Sequence, residues 1–328
     1  MRIVALAGGI GGARFLRGLR HVEPDSEITA IVNTGDDITL HGLRVCPDLD
    51  TVMYTLGGGI SEDRGWGRED ESFVVRDELT AYGVGPAWFG LGDRDLATHL
   101  VRTQSLDAGY PLSQVTAALC DRWKPGVRLL PMSDDRVETH VVTQVPGSQD
   151  SGGGRRAIHF QEWWIRYGAK LPAERILGIG AEESSPAPGV LEAIGAADVL
   201  LLPPSNPVVS IGTILAVPGI REALQSAPAP LVGVSPIVGG APVRGMADAC
   251  LAAIGVDVTA EAVGRHYGSR QSGSGTPSGL LDAWLVDTAD DGATVPDVEV
   301  VVRPLLMPDL PSAAALAGAA LEVARALR

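Results

Sequence analysis

A chain of 328 residues with 26 Lys and Arg against 40 Asp and Glu carries a formal net charge of −14, and 45% of it is hydrophobic. That composition excludes bulk disorder, a collagen-like repeat and a coiled coil, and the acidity argues against nucleic-acid binding, which needs a basic stripe. Three scattered cysteines (Cys46, Cys120, Cys250) without a CxxC pair read as free thiols, and a short apolar start that ends at Gly8-Gly9 predicts neither a signal peptide nor a membrane span, so a soluble cytoplasmic protein is expected.

Along the chain, short runs rich in Val, Ile and Leu alternate with helical patterns, which predicts an α/β fold with a parallel sheet covered on both faces. Strands are expected at 3–7, 28–33, 128–131, 176–180, 199–202, 231–235, 281–286 and 298–302, with a first helix at 12–20 and a last at 312–327. The excursion 38–126 between the second and third strands reads as helical in its later part, so a helical cap is placed at about 55–126. A β-hairpin insertion is expected at about 136–168 around Asp150-Ser151-Gly152-Gly153-Gly154, and the Gly/Ser stretch 269–279 reads as a mobile loop. No repeat or separating linker is visible, and residues 1–328 are expected to form one core with insertions.

The first strand runs into Gly8-Gly9-Ile10-Gly11-Gly12-Ala13-Arg14. Strand, glycine turn and helix N-terminus together make an anion cradle, with Gly9, Gly11 and Gly12 allowing close backbone approach. The same turn also serves simply to pack helix on strand. Arg14 stands where a dinucleotide fingerprint needs its third glycine, and the second strand ends in Asn33-Thr34 without a ribose-binding acid, which argues against NAD.

Asn33-Thr34-Gly35-Asp36-Asp37 and Val45-Cys46-Pro47-Asp48-Leu49-Asp50-Thr51 follow the second strand, so Thr34, Asp37, Asp48 and Asp50 are placed beyond the carboxyl edge of the sheet. At i, i+2 on an extended segment, Asp48 and Asp50 share one side and suit a hard cation such as Mg²⁺. Capping of the following helix is the competing role. Gly92-Asp93-Arg94-Asp95 opens a helix containing His99: either aspartate suits a cap, whereas Arg94 and His99 suit a phosphate. Ser133 and Asp134 end the third strand in Pro131-Met132-Ser133-Asp134-Asp135. His140, Trp163 and Trp164 read as framework, unless an exposed tryptophan stacks on a flat ring.

In the C-terminal half, prolines stiffen the turn bearing Ser205 and Asn206, with Ser210 close behind; their short polar side chains suit a base or ribose. Ser235 opens a glycine-rich turn that supplies backbone donors and one cation, Arg244. Either turn has a purely structural reading too, but polar or glycine-rich turns at the ends of four strands are hard to explain as packing alone.

The ordered set Gly8-Gly9-Ile10-Gly11-Gly12, Asn33-Thr34, Pro47-Asp48-Leu49-Asp50-Thr51, Gly92-Asp93-Arg94-Asp95, Pro131-Met132-Ser133-Asp134-Asp135, Pro204-Ser205-Asn206-Pro207 and Ser235-Pro236-Ile237 resembles the 2-phospho-L-lactate or phosphoenolpyruvate transferases of coenzyme F-420 biosynthesis. The resemblance spans residues 1 to about 250 and implies a Rossmann-like, doubly wound homodimer. It further implies transfer of a phosphoenolpyruvyl or phospholactyl group from a guanosine diphosphate ester to the ribityl hydroxyl of the deazaflavin Fo, with release of GMP. Asp48 and Asp50 would hold Mg²⁺, with Asp50 nearest the hydroxyl; the glycine turn and Thr34 would cradle phosphate; Ser205, Asn206 and Ser210 would face guanosine. Where relatives align a lysine for the deazaflavin, this chain has Gly90, so contact there falls to backbone, Trp88 or Phe89. A nucleotide-sugar-binding regulator of related fold is the alternative, disfavoured by the Pro-Asp-Leu-Asp-Thr and Pro-Met-Ser-Asp-Asp segments.

Overall fold

The computed structural model describes residues 1–147, 154–271 and 279–328. Seven parallel strands form the central sheet, in the spatial order Glu299–Val302, Ala283–Val286, Leu231–Val234, Val199–Leu202, Arg2–Ala7, Glu27–Val32, Arg128–Pro131. Along Arg2–Ala7, Ile3, Ala5 and Ala7 pack into one apolar cluster, while Val4 and Leu6 pack into another on the opposite face. This strand is buried on both faces because successive side chains alternate and helices cover each side.

The chain builds outward from Arg2–Ala7 in one direction through the second and third strands. It then returns to lay Val199–Leu202 on the other flank of Arg2–Ala7. The order therefore reverses between these two strands, and the crevice beyond their carboxyl ends is where open sheets of this kind bind ligands. The helix Gly9–Val22 leaves the first strand there and packs closely on the last helix, Leu310–Ala326: a Cβ on Gly18 would lie 2.3 Å from the Ala313 carbonyl carbon.

Seven of the eight expected strands join the sheet. The eighth, expected at 176–180, instead forms Arg175–Ile179 in a separate antiparallel sheet with Glu138–Val145 and Gly154–His159. An apolar run of this length does not reveal which partner it will take, and here both Gly178 and Ile179 are exposed. The expected hairpin pairs as Glu138–Val145 with Gly154–His159; its turn at 148–153 and residues 272–278 of the Gly/Ser stretch lie outside the described residues.

In the excursion, the helices Asp93–Asp107 and Leu112–Trp123 match the expected helical region, joined by a small ladder, Ile38–Leu40 with Leu43–Val45, and a surface helix, Val74–Ala81. The first helix begins at Gly9, three residues before the expected start. Among the described residues no single helix is long and apolar enough to cross a membrane.

Candidate active site

A cavity of about 680 Å³ opens at the point where the strand order reverses. It is of the size that takes a drug- or cofactor-sized ligand. Its floor is the glycine turn. Gly9 adopts φ +63°, and its N–H donates to Asp48 Oδ1 at 2.8 Å. A Cβ on Gly8 would meet Asp48 Oδ2 at 2.6 Å, and one on Gly11 would meet the Pro204 carbonyl oxygen at 2.4 Å. Glycine at 8 and 11 is thus required by close approach. With the Gly8 N–H taken by Ser205 and that of Gly9 by Asp48, the N–H groups of Ile10 and Gly11 are the first-turn donors left without an intrahelical acceptor. Gly12 itself is a packing position, its Cα facing Ser205 Oγ and Ala7.

Asp48 and Asp50 do not lie on an extended segment. Both are in the helix Pro47–Leu56, which Pro47 opens, and residues two apart on a helix diverge by about 200°. Asp48 reaches the glycine turn and accepts from Asn33 Nδ2 at 2.9 Å. Its charged neighbour there is Asp36, a buried cavity-lining carboxylate whose Oδ1 has no hydrogen-bond partner. Burial, then the Asp48 charge, raises Asp36 well above the usual carboxylate range, and burial raises Asp48 to about 6 against the bonds from Asn33 and Gly9.

Asp50 points into a different, largely buried network, of which Asp50, Tyr54, Asp95 and His99 also line the cavity. The Arg102 guanidinium donates to Asp50 Oδ1 and sits 3.1 Å from His99 Nδ1; that same ring nitrogen is 3.7 Å from Asp50 Oδ2. On the far side of the ring His99 Nε2 is 3.6 Å from Asp95 Oδ2, and Tyr54 donates its hydroxyl to Asp95 Oδ1. Helical periodicity builds this arrangement: Asp95, His99 and Arg102 form one stripe, and Asp50 and Tyr54 form the facing one. Burial raises Asp50, although Arg102 and His99 oppose it, and Oδ2 is left without a hydrogen-bond partner. Burial also pushes Asp95 upward, but His99 and Tyr54 leave it below the ordinary range.

The remaining walls are aromatic and cationic. Phe160 and Trp164 line the cavity with ring centroids 5.8 Å apart, beside Gln161, whose amide nitrogen is buried without a partner. Trp164 is 40% exposed, whereas Trp163 is buried and donates to the Leu171 carbonyl. Phe89 and Gly90 also line the cavity, and a Cβ on Gly90 would lie 2.9 Å from Trp66 Cη2, so a side chain there displaces that ring. Arg14, Arg64 and Arg244 supply the cations.

Several residues singled out in the sequence are placed otherwise. Asp93 lies outside the cavity lining; it caps the helix Val74–Ala81, accepting from Val74 N and Val75 N, rather than its own helix, which Glu71 caps at Arg94 N and Asp95 N. Arg94 is exposed and also outside the lining. Asp134 accepts from Ser113 N and Oγ, capping Leu112–Trp123, and Ser133 donates to the Ser185 carbonyl. Asp37 is held by Arg44 and Cys46, and Thr34 is buried; neither reaches the cavity lining. Ser205, Asn206, Ser210 and Ser235 do line it, but three carry framework bonds. Ser205 Oγ accepts from Gly8 N and donates to its carbonyl, Asn206 accepts from Val208 N and Val209 N, and Ser235 donates to the Ile237 carbonyl. Sequence reasoning missed Asp36, Asp95, Tyr54, Arg102, Gln161 and Trp66; only the helical stripe through His99 offered a signal for two of them.

A glycine turn, buried carboxylates and arginines around one crevice of a doubly wound α/β sheet make an arrangement that suits an anionic ligand. The family model described as 2-phospho-L-lactate transferase CofD matches residues 3–299, and the chain belongs to that family. Similar curated proteins are each called phosphoenolpyruvate transferase: that of Streptomyces griseus is 66% identical over 100% of both chains, that of Thermobifida fusca 63% over 100% of this chain and 99% of its own, and that of Mycobacterium avium 56% over 99% of both. Among solved structures, protein BH3568 of Bacillus halodurans superposes with a TM-score of 0.62 at 18% identity, covering 98% of this chain and 99% of its own, a likeness of fold.

Proposed function

We propose that this chain transfers a phosphoenolpyruvyl or phospholactyl group from a guanosine diphosphate ester of the three-carbon acid to the ribityl hydroxyl of the deazaflavin Fo, releasing GMP. The observation that carries the reading is the meeting, in one crevice, of an anion-binding glycine turn, the carboxylates Asp36, Asp48 and Asp50, and an aromatic wall. Family membership and the names of the relatives support it.

In this transfer the hydroxyl oxygen forms a bond to the phosphorus nearer the acid, and the bond from that phosphorus to the GMP oxygen breaks. GMP leaves with the electron pair, and the hydroxyl proton leaves the acceptor. Alignment and charge neutralisation supply most of the catalysis in such reactions. Asp50, clamped by Arg102 and His99, presents its unpartnered Oδ2 to orient the hydroxyl or take its proton. The first-turn N–H groups of Gly9–Val22 receive phosphate oxygens. Phe160 and Trp164 offer flat faces to a ring, and Gln161 offers it a donor.

Two buried, mutually repelling carboxylates, one with a free oxygen, fit a divalent cation; Asp48 and Asp36 would hold Mg²⁺. When bound, the ion neutralises diphosphate charge. The reading includes a homodimer working in the cytoplasm.

The test is mass spectrometry of a mixture of the protein, Fo, the enolpyruvyl or lactyl guanosine diphosphate ester and Mg²⁺, with and without chelator. Product and GMP in equal amounts, lost on chelation, are expected. Donor and Fo returned intact, or retention of a nucleotide sugar without turnover, would overturn the proposal in favour of a binding protein.

A further inference from the structure

Two of the cavity's guanidiniums, Arg14 and Arg244, line it near enough to each other for their like charges to interact. Arg14 lies one turn beyond Ile10 on the first helix, is largely buried, and has its Nε buried without a hydrogen-bond partner. Its ion-pair partner is Glu62 at 3.6 Å, which Arg17 shares. Arg244 arrives from the far C-terminal turn and has no hydrogen-bond or ion-pair partner among the described residues. A Cβ on Gly65, at φ +72°, would lie 2.6 Å from Arg244 Nη1, so the backbone there yields room for this guanidinium. Burial, then the nearby charge of Arg244, depresses Arg14 below its ordinary value. None of the cavity's carboxylates forms an ion pair with either arginine. Like charges drawn together in a crevice, with donors unspent, mark a place for an anion.

The geometry points to Arg14 and Arg244 as a subsite for the carboxylate of the transferred three-carbon acid, separate from the groups that take the diphosphate. The inference rests on the transfer reading above and adds which end of the donor is recognised by which wall. The physical reason is charge sorting. The donor carries a diphosphate and, on either acid, one carboxylate. Asp36, Asp48 and Asp50 repel a bare carboxylate, whereas a diphosphate carries enough charge to share their cation and the helix N-terminus. Among the described residues, no carboxylate that lines the cavity is ion-paired to either arginine, and forked N–H groups match a planar carboxylate.

The experiment measures binding by calorimetry for three ligands: the donor, GDP, and the donor methylated at its carboxylate to a neutral ester. Each is offered to wild type, Arg14→Gln and Arg244→Gln. Loss of one charge-assisted contact weakens the donor about 10- to 100-fold. GDP, which has the diphosphate and no carboxylate, moves less than about threefold on the same scale, and the methyl ester binds wild type and Arg244→Gln alike. Arg244 is exposed and unpaired, so its substitution leaves folding intact, which a thermal melt verifies. If GDP weakens as much as the donor, the arginines hold the diphosphate and the inference is wrong. If wild type makes product while both variants bind donor normally, the inference alone falls. If wild type neither binds donor nor makes product, the transfer reading falls and takes the inference with it.

Discussion

Arg102 and Asp50, 52 residues apart in sequence, form an ion pair in which both side chains are almost wholly buried, at 1% and 6% exposure. Arg102 also donates to the Arg44 carbonyl and sits against His99, so the carboxylate is held on a rigid base. Removing one partner of such a pair leaves an uncompensated buried charge. Arg102→Leu is expected to lower unfolding stability by about 3–5 kcal/mol, read from urea denaturation, and Arg102→Lys to recover only part of it because the fork geometry is lost. A stability change under about 1 kcal/mol in Arg102→Leu would show the pair to be energetically idle.

Asp50→Asn keeps the shape and removes the charge. Turnover is expected to fall by a factor of about a hundred or more, the scale of losing one electrostatic contact at the reacting atoms, while donor affinity stays within about threefold. Steady-state GMP release measures both, and near-normal release would take Asp50 out of the mechanism.

The raised Asp48 carboxyl makes stability depend on pH in a defined direction. Its folded value, about 6, lies above the ordinary 3.8, so the folded state binds more protons than the unfolded state between these values. Stability from this group therefore falls as pH rises from about 4 to 6 and levels above. The shift corresponds to at most about 3 kcal/mol. Asp37, also raised to about 6 by burial, acts in the same window, so the difference between wild type and Asp48→Asn isolates the Asp48 share. In metal-free buffer, Asp48→Asn is expected to gain on wild type as pH rises from about 4 to 6. Mg²⁺ is expected to narrow that gap by stabilising wild type alone. Parallel pH profiles of melting temperature for the two proteins would show the carboxyl unshifted.

Gly11→Ala places a Cβ 2.4 Å from the Pro204 carbonyl oxygen, a backbone atom that cannot swing aside. Overpacking of this kind costs about 1–3 kcal/mol, and it separates the first helix from the turn at Ser205. Both a lower melting temperature and a loss of donor binding are expected, whereas Gly42→Ala, at a position with nothing within 4 Å, affects stability only through its positive φ and leaves donor binding intact.

Trp164→Ala removes half of the Phe160–Trp164 pair. Loss of one ring-stacking surface is worth about 1–3 kcal/mol, so Fo affinity is expected to fall about tenfold or more with GDP binding unchanged. Fluorescence titration with each ligand measures the two separately, and an unchanged Fo affinity would place the deazaflavin elsewhere.

The sequence by itself determined the strand set and the glycine turn. A run such as Ile3 to Ala7, apolar on both faces and followed by Gly8 and Gly9, has few ways to be buried other than in the middle of a parallel sheet. It also marked Asp48 and Asp50, which stand in the first turn of a helix, and His99, which lies on the helix opened by Gly92-Asp93-Arg94-Asp95. The pairing of those groups was decided only in three dimensions. Asp48 found Asp36 and Asp50 found Arg102 because helix phase, a property of the folded segment Pro47–Leu56, turned the two aspartates apart. Arg14 and Arg244 met for the same reason of distance: 230 residues of chain had to return across the sheet before their charges could face each other, and nothing local in either segment encodes that encounter. Local propensity depends on neighbours in sequence; electrostatic partnership depends on neighbours in space, and the two coincide only within a helical stripe such as Asp95, His99 and Arg102.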